Sequence, residues 1–181
     1  MGAHVDSTPL PSSSRAVLVS RSDGETHRIG EALGALCRAR DIILLEGDLG
    51  AGKTALAQGI GHGLGVSAMI NSPTFTLIKE YRGRLPFYHF DLYRVEDANE
   101  TADLGIDEYL EDEGVCVVEW PERAEQIWPP EHLRIRLTVI GEHERRLDVT
   151  GHGARGRSLR TALLRAVANM PQPPADSEET P

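Results

Sequence analysis

Long apolar runs, secretory signals and an excess of basic charge are all missing from this sequence of 181 residues. No apolar run reaches the roughly 18 residues that a membrane-spanning helix needs, so no membrane association is predicted. Residues 1–14 have no basic stretch followed by an apolar one, which excludes the usual pattern of a secretory signal. These absences predict a cytoplasmic protein.

Cysteine is scarce, since Cys37 and Cys116 are the two in the chain. Cys37 falls in a helical pattern and Cys116 in a valine-rich strand pattern, and we expect both to be buried, reduced thiols. No cysteine and histidine cluster has the spacing of a zinc site along the sequence.

The net charge of −9 argues against a freestanding nucleic-acid binder, because phosphate contacts need lysine and arginine. Acidic side chains dominate residues 91–131, whereas arginines dominate residues 132–165. Two solvated faces are the simpler interpretation of this asymmetry. The alternative is a polar chain that docks on a partner or on RNA.

The length is typical of one domain with small appendages. Residues 1–14 are rich in serine and proline, and residues 171–181 are proline-rich and acidic, so we predict a disordered tail at each end. The folded domain is predicted to span residues 15–170.

Strand and helix patterns alternate through this domain. Strands are predicted at residues 16–19, 41–46, 75–81, 87–90, 115–118, 133–140 and 145–149, and helices at residues 25–38, 54–64, 99–110 and 157–170. Asp23 is a candidate cap for the first helix. Turns at residues 82–86 and 141–144 predict two antiparallel hairpins. The pattern indicates an α/β fold with a mixed, largely parallel central sheet.

One glycine-rich loop carries the strongest chemical signal. It reads Gly47-Asp48-Leu49-Gly50-Ala51-Gly52-Lys53-Thr54, follows a predicted buried strand and opens a predicted helix. This is the phosphate-binding loop G-x-x-x-x-G-K-[ST], in which glycines let backbone N–H groups surround a phosphate. Lys53 is expected on the β- and γ-phosphates and Thr54 on Mg²⁺. The loop predicts a three-layer sandwich of the P-loop NTPase type, and the lack of a guanine-reading Asn-Lys-x-Asp motif favours ATP.

Two acidic residues stand at the ends of predicted strands, where P-loop hydrolases place the acids that act near the triphosphate. Glu119 follows the apolar run 115–118, the Walker B pattern that places a carboxylate near Mg²⁺ or its waters. Asp91 ends the strand 87–90 and would hold a metal-bound water or orient the attacking one. The alternative for each is a carboxylate that caps a turn.

Three further positions near these acids are candidates. The loop 72–76 carries hydroxyls, of which Thr74 or Thr76 would sense the γ-phosphate, unless the loop is only a polar turn before a strand. Trp120 would stack on the base or on a partner, or else pack at the rim of the core. For His89, a hydrogen-bonded strand histidine is favoured over a catalytic one.

Four blocks in this order make the sequence familiar: the phosphate-binding loop, Ser72-Pro73-Thr74-Phe75-Thr76-Leu77, His89-Phe90-Asp91-Leu92-Tyr93-Arg94, and Val118-Glu119-Trp120-Pro121. The chain resembles the TsaE (YjeE) family of small bacterial ATPases over roughly residues 15–150. The first block is shared by many NTPases, whereas the other three are specific.

The resemblance implies an ATPase that serves the synthesis of N6-threonylcarbamoyladenosine on tRNA, next to the anticodon. It implies a complex with TsaB and TsaD, through which tRNA is reached indirectly. Carried across, Thr54 and Glu119 bind Mg²⁺, residues 50–54 bind the phosphates, and Asp91 and Thr74 belong to the catalytic and switch elements. The segments near Asp23 and Arg145 are implied as nucleotide contacts.

Two other functions fit the loop. A small-molecule kinase also begins with strand, loop and helix, and Asp91 with Arg94 imitates its acid and lid arginine. A nucleotide-gated interaction protein with negligible turnover is the third class. Because no motif places an arginine as a transition-state finger, we expect slow ATP hydrolysis by the isolated chain.

Overall fold

A computed structural model describes residues 15–96 and 104–171. The strands are β1 Arg15–Ser20, β2 Ile42–Glu46, β3 Ile78–Arg82, β4 Pro86–Asp91, β5 Val115–Glu119, β6 His132–Val139 and β7 Arg145–His152. The helices are α1 Asp23–Leu36, α2 Lys53–Gly63, α3 Ile106–Glu111 and α4 Gly153–Ala168, with a 3-10 helix at Pro121–Ile127. The predicted tails, apart from residue 171, and the first part of the predicted helix 99–110 lie outside the described residues.

The strands form one mixed sheet of seven strands in the order β1-β7-β6-β2-β5-β4-β3. The four central strands, β6, β2, β5 and β4, pair in parallel, and antiparallel hairpins extend the sheet at both edges. Every residue of β2 and β5 is buried, which is typical of central parallel strands covered on both faces. The predicted fold class and both predicted hairpins are confirmed.

Side-chain alternation along β2 divides the core between the two faces of the sheet. Ile43 and Leu45 pack with buried side chains of α1, α2 and α4. Ile42 and Leu44 pack on the other face, against α3, the 3-10 helix and the buried ring of Trp128. The domain therefore has three layers, with the sheet in the middle.

Glycines let α1 and α2 approach almost to backbone contact. A Cβ on Gly59 would lie 2.1 Å from the carbonyl oxygen of His27, and one on Gly63 would lie 2.1 Å from that of Glu31. No side chain fits in such a gap. The first helix is thereby fixed against the helix that the phosphate-binding loop opens.

Two helix starts differ from the prediction. Ser22, not Asp23, caps α1, because its Oγ accepts a hydrogen bond from the N–H of Glu25 at 3.0 Å. Helix α4 begins at Gly153 rather than at residue 157, since the carboxylate of Glu131 accepts hydrogen bonds from the first N–H groups of this helix. Such a cap from a distant residue leaves no local signal.

The loop before β3 is longer than predicted. The predicted strand 75–81 begins only at Ile78, because Leu77 turns with a φ of 63° and its N–H donates to the carbonyl of Pro73 at 2.6 Å. The turn leaves the ring of Phe75 84% exposed.

Both cysteines are free and buried, as predicted. Burial raises the pKa of the Cys116 thiol to about 12 and raises the pKa of Cys37 further. Within the described part of the chain, no helix combines the length and apolarity that crossing a membrane requires.

Several arginines of the basic segment pair with acids of the fold. Arg134 and Arg136 both contact the carboxylate of Glu46, and Arg155 contacts Asp41. These three arginines therefore form ion pairs within the domain itself. Docking of this segment on a partner or on RNA stays the untested alternative to two solvated faces.

Candidate functional site

The phosphate-binding loop joins the end of β2 to the start of α2. Gly47, Gly50 and Gly52 have φ values of 141°, 78° and 100°, which residues other than glycine rarely adopt. A Cβ on Gly47 would also lie 2.5 Å from the carbonyl oxygen of Leu137. Because α2 begins at Lys53, its first N–H groups and its partial positive charge face the loop. The loop is therefore shaped to hold an anion.

Lys53 is buried in this loop rather than extended into solvent. Its Nζ donates to the carbonyl oxygens of Gly47 at 2.6 Å and Asp48 at 2.8 Å. The same ammonium lies 4.0 Å from the centre of the Trp120 ring. Burial lowers the pKa of Lys53, and nearby carboxylates, Glu119 first among them, oppose this shift. The cation is held by weak carbonyl acceptors next to the space where a phosphate would lie.

The pairing of β5 with β2 places Glu119 next to the phosphate-binding loop. It ends β5 and pairs with Leu45 of the parallel strand β2, so both strands end at the same edge. The Thr54 hydroxyl lies 3.1 Å from Oε1 and 3.2 Å from Oε2 of Glu119. A hydroxyl and a carboxylate thus meet at the first turn of α2. These are the hard oxygen donors that Mg²⁺ prefers.

His89 completes this cluster, a role that the sequence did not assign. It is fully buried in β4, and its Nε2 lies 2.8 Å from Oε1 of Glu119. Its Nδ1 has no hydrogen-bond partner among the described residues. The expected hydrogen-bonded strand histidine is present, but its partner is the candidate metal ligand itself. The available signal was the shared strand face of His89 and Asp91, beside the end of β5.

Asp91 ties the hydroxyl loop to β4. Its Oδ2 accepts hydrogen bonds from Ser72 at 3.0 Å and from Thr74 at 2.9 Å. Its Oδ1 accepts one from the N–H of Tyr93 at 3.0 Å. Of the two threonines considered in this loop, Thr74 lines the cleft described below, whereas Thr76 is exposed and does not.

Trp120 turns the chain directly after Glu119. It has a φ of 60° and precedes the 3-10 helix. Its ring lies 4.9 Å from that of Tyr93. Both rings line the cleft, so Trp120 is available to a ligand as well as to Lys53.

A cleft of about 430 Å³ brings most of the predicted residues together. Those that line it are Leu49, Gly50, Gly52, Lys53, Thr54, Thr74, Asp91, Glu119 and Trp120. Asp23 and Arg145 also line it, and Nη2 of Arg145 lies 3.9 Å from Oδ1 of Asp23. Nucleotide contact by their segments, which the resemblance implied, stays a prediction.

Two predicted nucleotide-binding positions stand apart from this cleft. Asp48 lines a neighbouring cleft of about 320 Å³, which shares Trp120 with the first one. Ala51 is buried in the core, and its backbone N–H donates to the carbonyl oxygen of Asp48 at 3.1 Å.

Comparison with known proteins agrees with the resemblance. Residues 20–147 match the family described as Threonylcarbamoyl adenosine biosynthesis protein TsaE. The tRNA threonylcarbamoyladenosine biosynthesis protein TsaE of Bacillus subtilis (strain 168) is 46% identical over 142 residues, which are 78% of this chain and 89% of that protein. The protein of the same name from Treponema pallidum (strain Nichols) is 40% identical over 131 residues, 72% of this chain and 97% of its own.

A solved structure shares the fold. The crystal structure of Bacillus subtilis YdiB superposes with a TM-score of 0.74 at 38% sequence identity, covering 83% of this chain and 95% of that one. The family match includes the phosphate-binding loop, the hydroxyl loop and both acids. This chain belongs to the TsaE family of tRNA threonylcarbamoyladenosine biosynthesis proteins.

Proposed function

We propose that this chain is a Mg²⁺-dependent ATPase subunit required for N6-threonylcarbamoyladenosine modification of tRNA adenosine next to the anticodon. It acts in a complex with TsaB-like and TsaD-like proteins and reaches tRNA through them. The observation that carries the ATPase part of the proposal is the contact of the Thr54 hydroxyl with Glu119, 3.1 Å from Oε1, at the phosphate-binding loop. The part that concerns tRNA and the partner proteins rests on membership of the family. A loop that holds phosphates and an acid beside its threonine are two of the parts on which nucleotide hydrolysis depends.

The donor set fits magnesium. Thr54 and Glu119 offer oxygen ligands, and the glycines of the loop leave room for phosphate oxygens. When bound, Mg²⁺ neutralises charge on the β- and γ-phosphate oxygens.

The chain's own residues have separate tasks in this proposal. Lys53 exchanges the carbonyls of Gly47 and Asp48 for phosphate oxygens, which are stronger acceptors for an ammonium. The backbone N–H groups of the loop hold the phosphates. Asp91 orients the attacking water, and Thr74, which it holds by a hydrogen bond, senses the γ-phosphate.

The contacts of the arginines near the cleft support the prediction that the isolated chain hydrolyses ATP slowly. Among the described residues, Arg145 is the one arginine that lines the cleft, and its guanidinium donates to turn carbonyls such as that of Glu144 at 3.1 Å. Arg94 lies over the ring of Phe75, 4.5 Å from its centre. A free arginine finger is worth about 10³–10⁵ in rate, so a partner is expected to supply this charge or to reorganise the hydroxyl loop.

The test is phosphate release from ATP with Mg²⁺, by the pure chain and after addition of TsaB-like and TsaD-like proteins. We expect slow release by the chain alone and a clear gain with both partners, which also co-elute with it. No gain would favour a nucleotide-gated interaction protein. Rapid phosphorylation of a small-molecule acceptor by the pure chain would favour a kinase.

A further inference from the structure

A second cluster of ligand-type side chains lies outside the nucleotide cleft. His27 and Glu31 stand one turn apart on α1, and His62 lies near the end of α2. One ligand atom from each of the three lies within 4.8 Å of the other two. In the described part of the chain, no other group of histidine, cysteine, aspartate or glutamate meets this condition.

The two imidazoles already point their nitrogens at each other. Nε2 of His27 lies 2.8 Å from Nδ1 of His62, so one ring donates an N–H and the other accepts it. The Oε1 of Glu31 lies 3.7 Å from the other ring nitrogen of His27. For a cation to bind between the rings, the proton of the donating ring moves to its outer nitrogen, and each imidazole then offers a lone pair to the cation.

The two helices are closely packed beneath the cluster. The close contacts of Gly59 with the carbonyl of His27, and of Gly63 with that of Glu31, join the two helices directly under these side chains. The backbone on both sides is therefore already in place, and only side-chain rotations remain. Glu31 keeps 47% of its side chain exposed, so its carboxylate is free to turn.

We propose that His27, Glu31 and His62 form a site for a transition-metal cation of the Zn²⁺ class. Two imidazoles and one carboxylate suit Zn²⁺, Ni²⁺ or Cu²⁺, whereas Mg²⁺ and Ca²⁺ prefer oxygen ligands alone. With Zn–N bonds of about 2.0–2.1 Å, two nitrogens of a tetrahedral site lie roughly 3.3 Å apart. The rings need only a small outward rotation from their 2.8 Å contact.

The consequence is a link between two helices that frame the nucleotide cleft. Helix α1 begins at Asp23 and α2 at Lys53, and both residues line that cleft. None of the three proposed ligands lines the nucleotide cleft. Metal binding would thus hold the helix pair together without occupying the nucleotide site.

The test uses the full-length chain without an affinity tag, stripped with a chelator and titrated with Zn²⁺ by calorimetry. We expect His62→Gln and Glu31→Gln to weaken Zn²⁺ binding by at least about tenfold, since even an outer-shell partner of a metal is commonly worth about 10–100-fold. Thermal unfolding in the presence of chelator checks that these surface variants remain folded.

His143→Gln is the matched control. His143 is exposed, and its Nε2 lies 4.0 Å from the Oε1 of Glu142, so it is a histidine–carboxylate pair without a second imidazole. We expect this variant to bind Zn²⁺ as the unmodified chain does, and Zn²⁺ to raise the unfolding temperature of both. Equal Zn²⁺ affinity in His62→Gln and the unmodified chain would overturn the proposal.

Discussion

The Nε2 atom of His89 lies 2.8 Å from the Oε1 atom of Glu119, and the two side chains are only 0% and 4% exposed. This contact joins β4 to β5 at the edge where the phosphate-binding loop opens. Thr54 donates to the same carboxylate from α2. Residues of two different elements therefore set the direction of Glu119.

We expect His89→Ala to lower ATP hydrolysis about 10–100-fold while nucleotide affinity changes little, because Glu119 loses the group that orients it. His89→Gln keeps an N–H donor and should recover part of the rate. Phosphate release measured beside titration with a fluorescent nucleotide separates the two effects. A parallel loss of rate and affinity in His89→Ala would contradict a positioning role.

Lys53→Ala should mainly impair nucleotide binding, whereas Glu119→Ala should mainly impair hydrolysis. Lys53 is the cation next to the phosphate space, so its removal should abolish tight nucleotide binding. Glu119 contacts Thr54 at the first turn of α2, so its loss should reduce hydrolysis more than binding. The same pair of assays distinguishes the variants. Equal losses of binding and turnover in both would count against the assigned roles.

Trp120→Ala should weaken nucleotide binding by a factor that corresponds to about 0.5–2 kcal/mol, because the ring that packs on the Lys53 ammonium is lost. Trp128→Phe is the control, since Trp128 is buried and its Nε1 donates to the carbonyl of Pro121 at 2.8 Å, away from the cleft. The control leaves Trp120 as the remaining tryptophan. Its fluorescence should change on nucleotide addition, and an unchanged signal would argue against a ligand beside this ring.

Gly59→Ala should lower the free energy of unfolding by about 2 kcal/mol, because its Cβ would lie 2.1 Å from the carbonyl oxygen of His27. Gly24→Ala is the matched change in α1, where the nearest atom to a Cβ is the Oγ of Ser22 at 3.8 Å. Alanine favours a helix by about 1 kcal/mol over glycine, so Gly24→Ala should be neutral or stabilising. Urea unfolding compares them, and similar values for both variants would refute the close packing of α1 on α2.

Acidification should destabilise the domain through His132 and His152, whose rings stack 4.3 Å apart. Burial lowers the pKa of both. As the pH falls below about 6.5, the unfolded chain takes up protons before the folded one, so the free energy of unfolding decreases. We expect His152→Gln to reduce this decrease between pH 7 and 5.

Urea unfolding across this pH range measures the effect. His143→Gln is the control, because that side chain is 77% exposed. An unfolding free energy that rises on acidification, or a His152→Gln profile parallel to that of the unmodified chain, would show that these rings do not titrate as their burial requires.

Local sequence was sufficient for the phosphate-binding loop, since its eight residues are contiguous and each conformational requirement falls on a specific glycine. It was also sufficient for the apolar strands β2 and β5 and for the acid that ends β5. The beginnings of helices were less predictable. Glu131 caps α4 from a distance along the chain, because its two hydrogen bonds come from residues 23 and 24 positions further on.

By itself, the sequence determined the fold class, the anion-binding loop and the identity of the two acids, because each depends on neighbours along the chain. The tertiary structure decided which side chains meet. Thr54 reaches Glu119 across 65 positions, and His89 reaches it across 30, through the pairing of β2, β5 and β4. His27 reaches His62 across 35 positions because glycines let two helices touch. The pairing of these parallel strands and the contact between the two helices join elements that are far apart in the chain, so a pattern within any one element does not specify them.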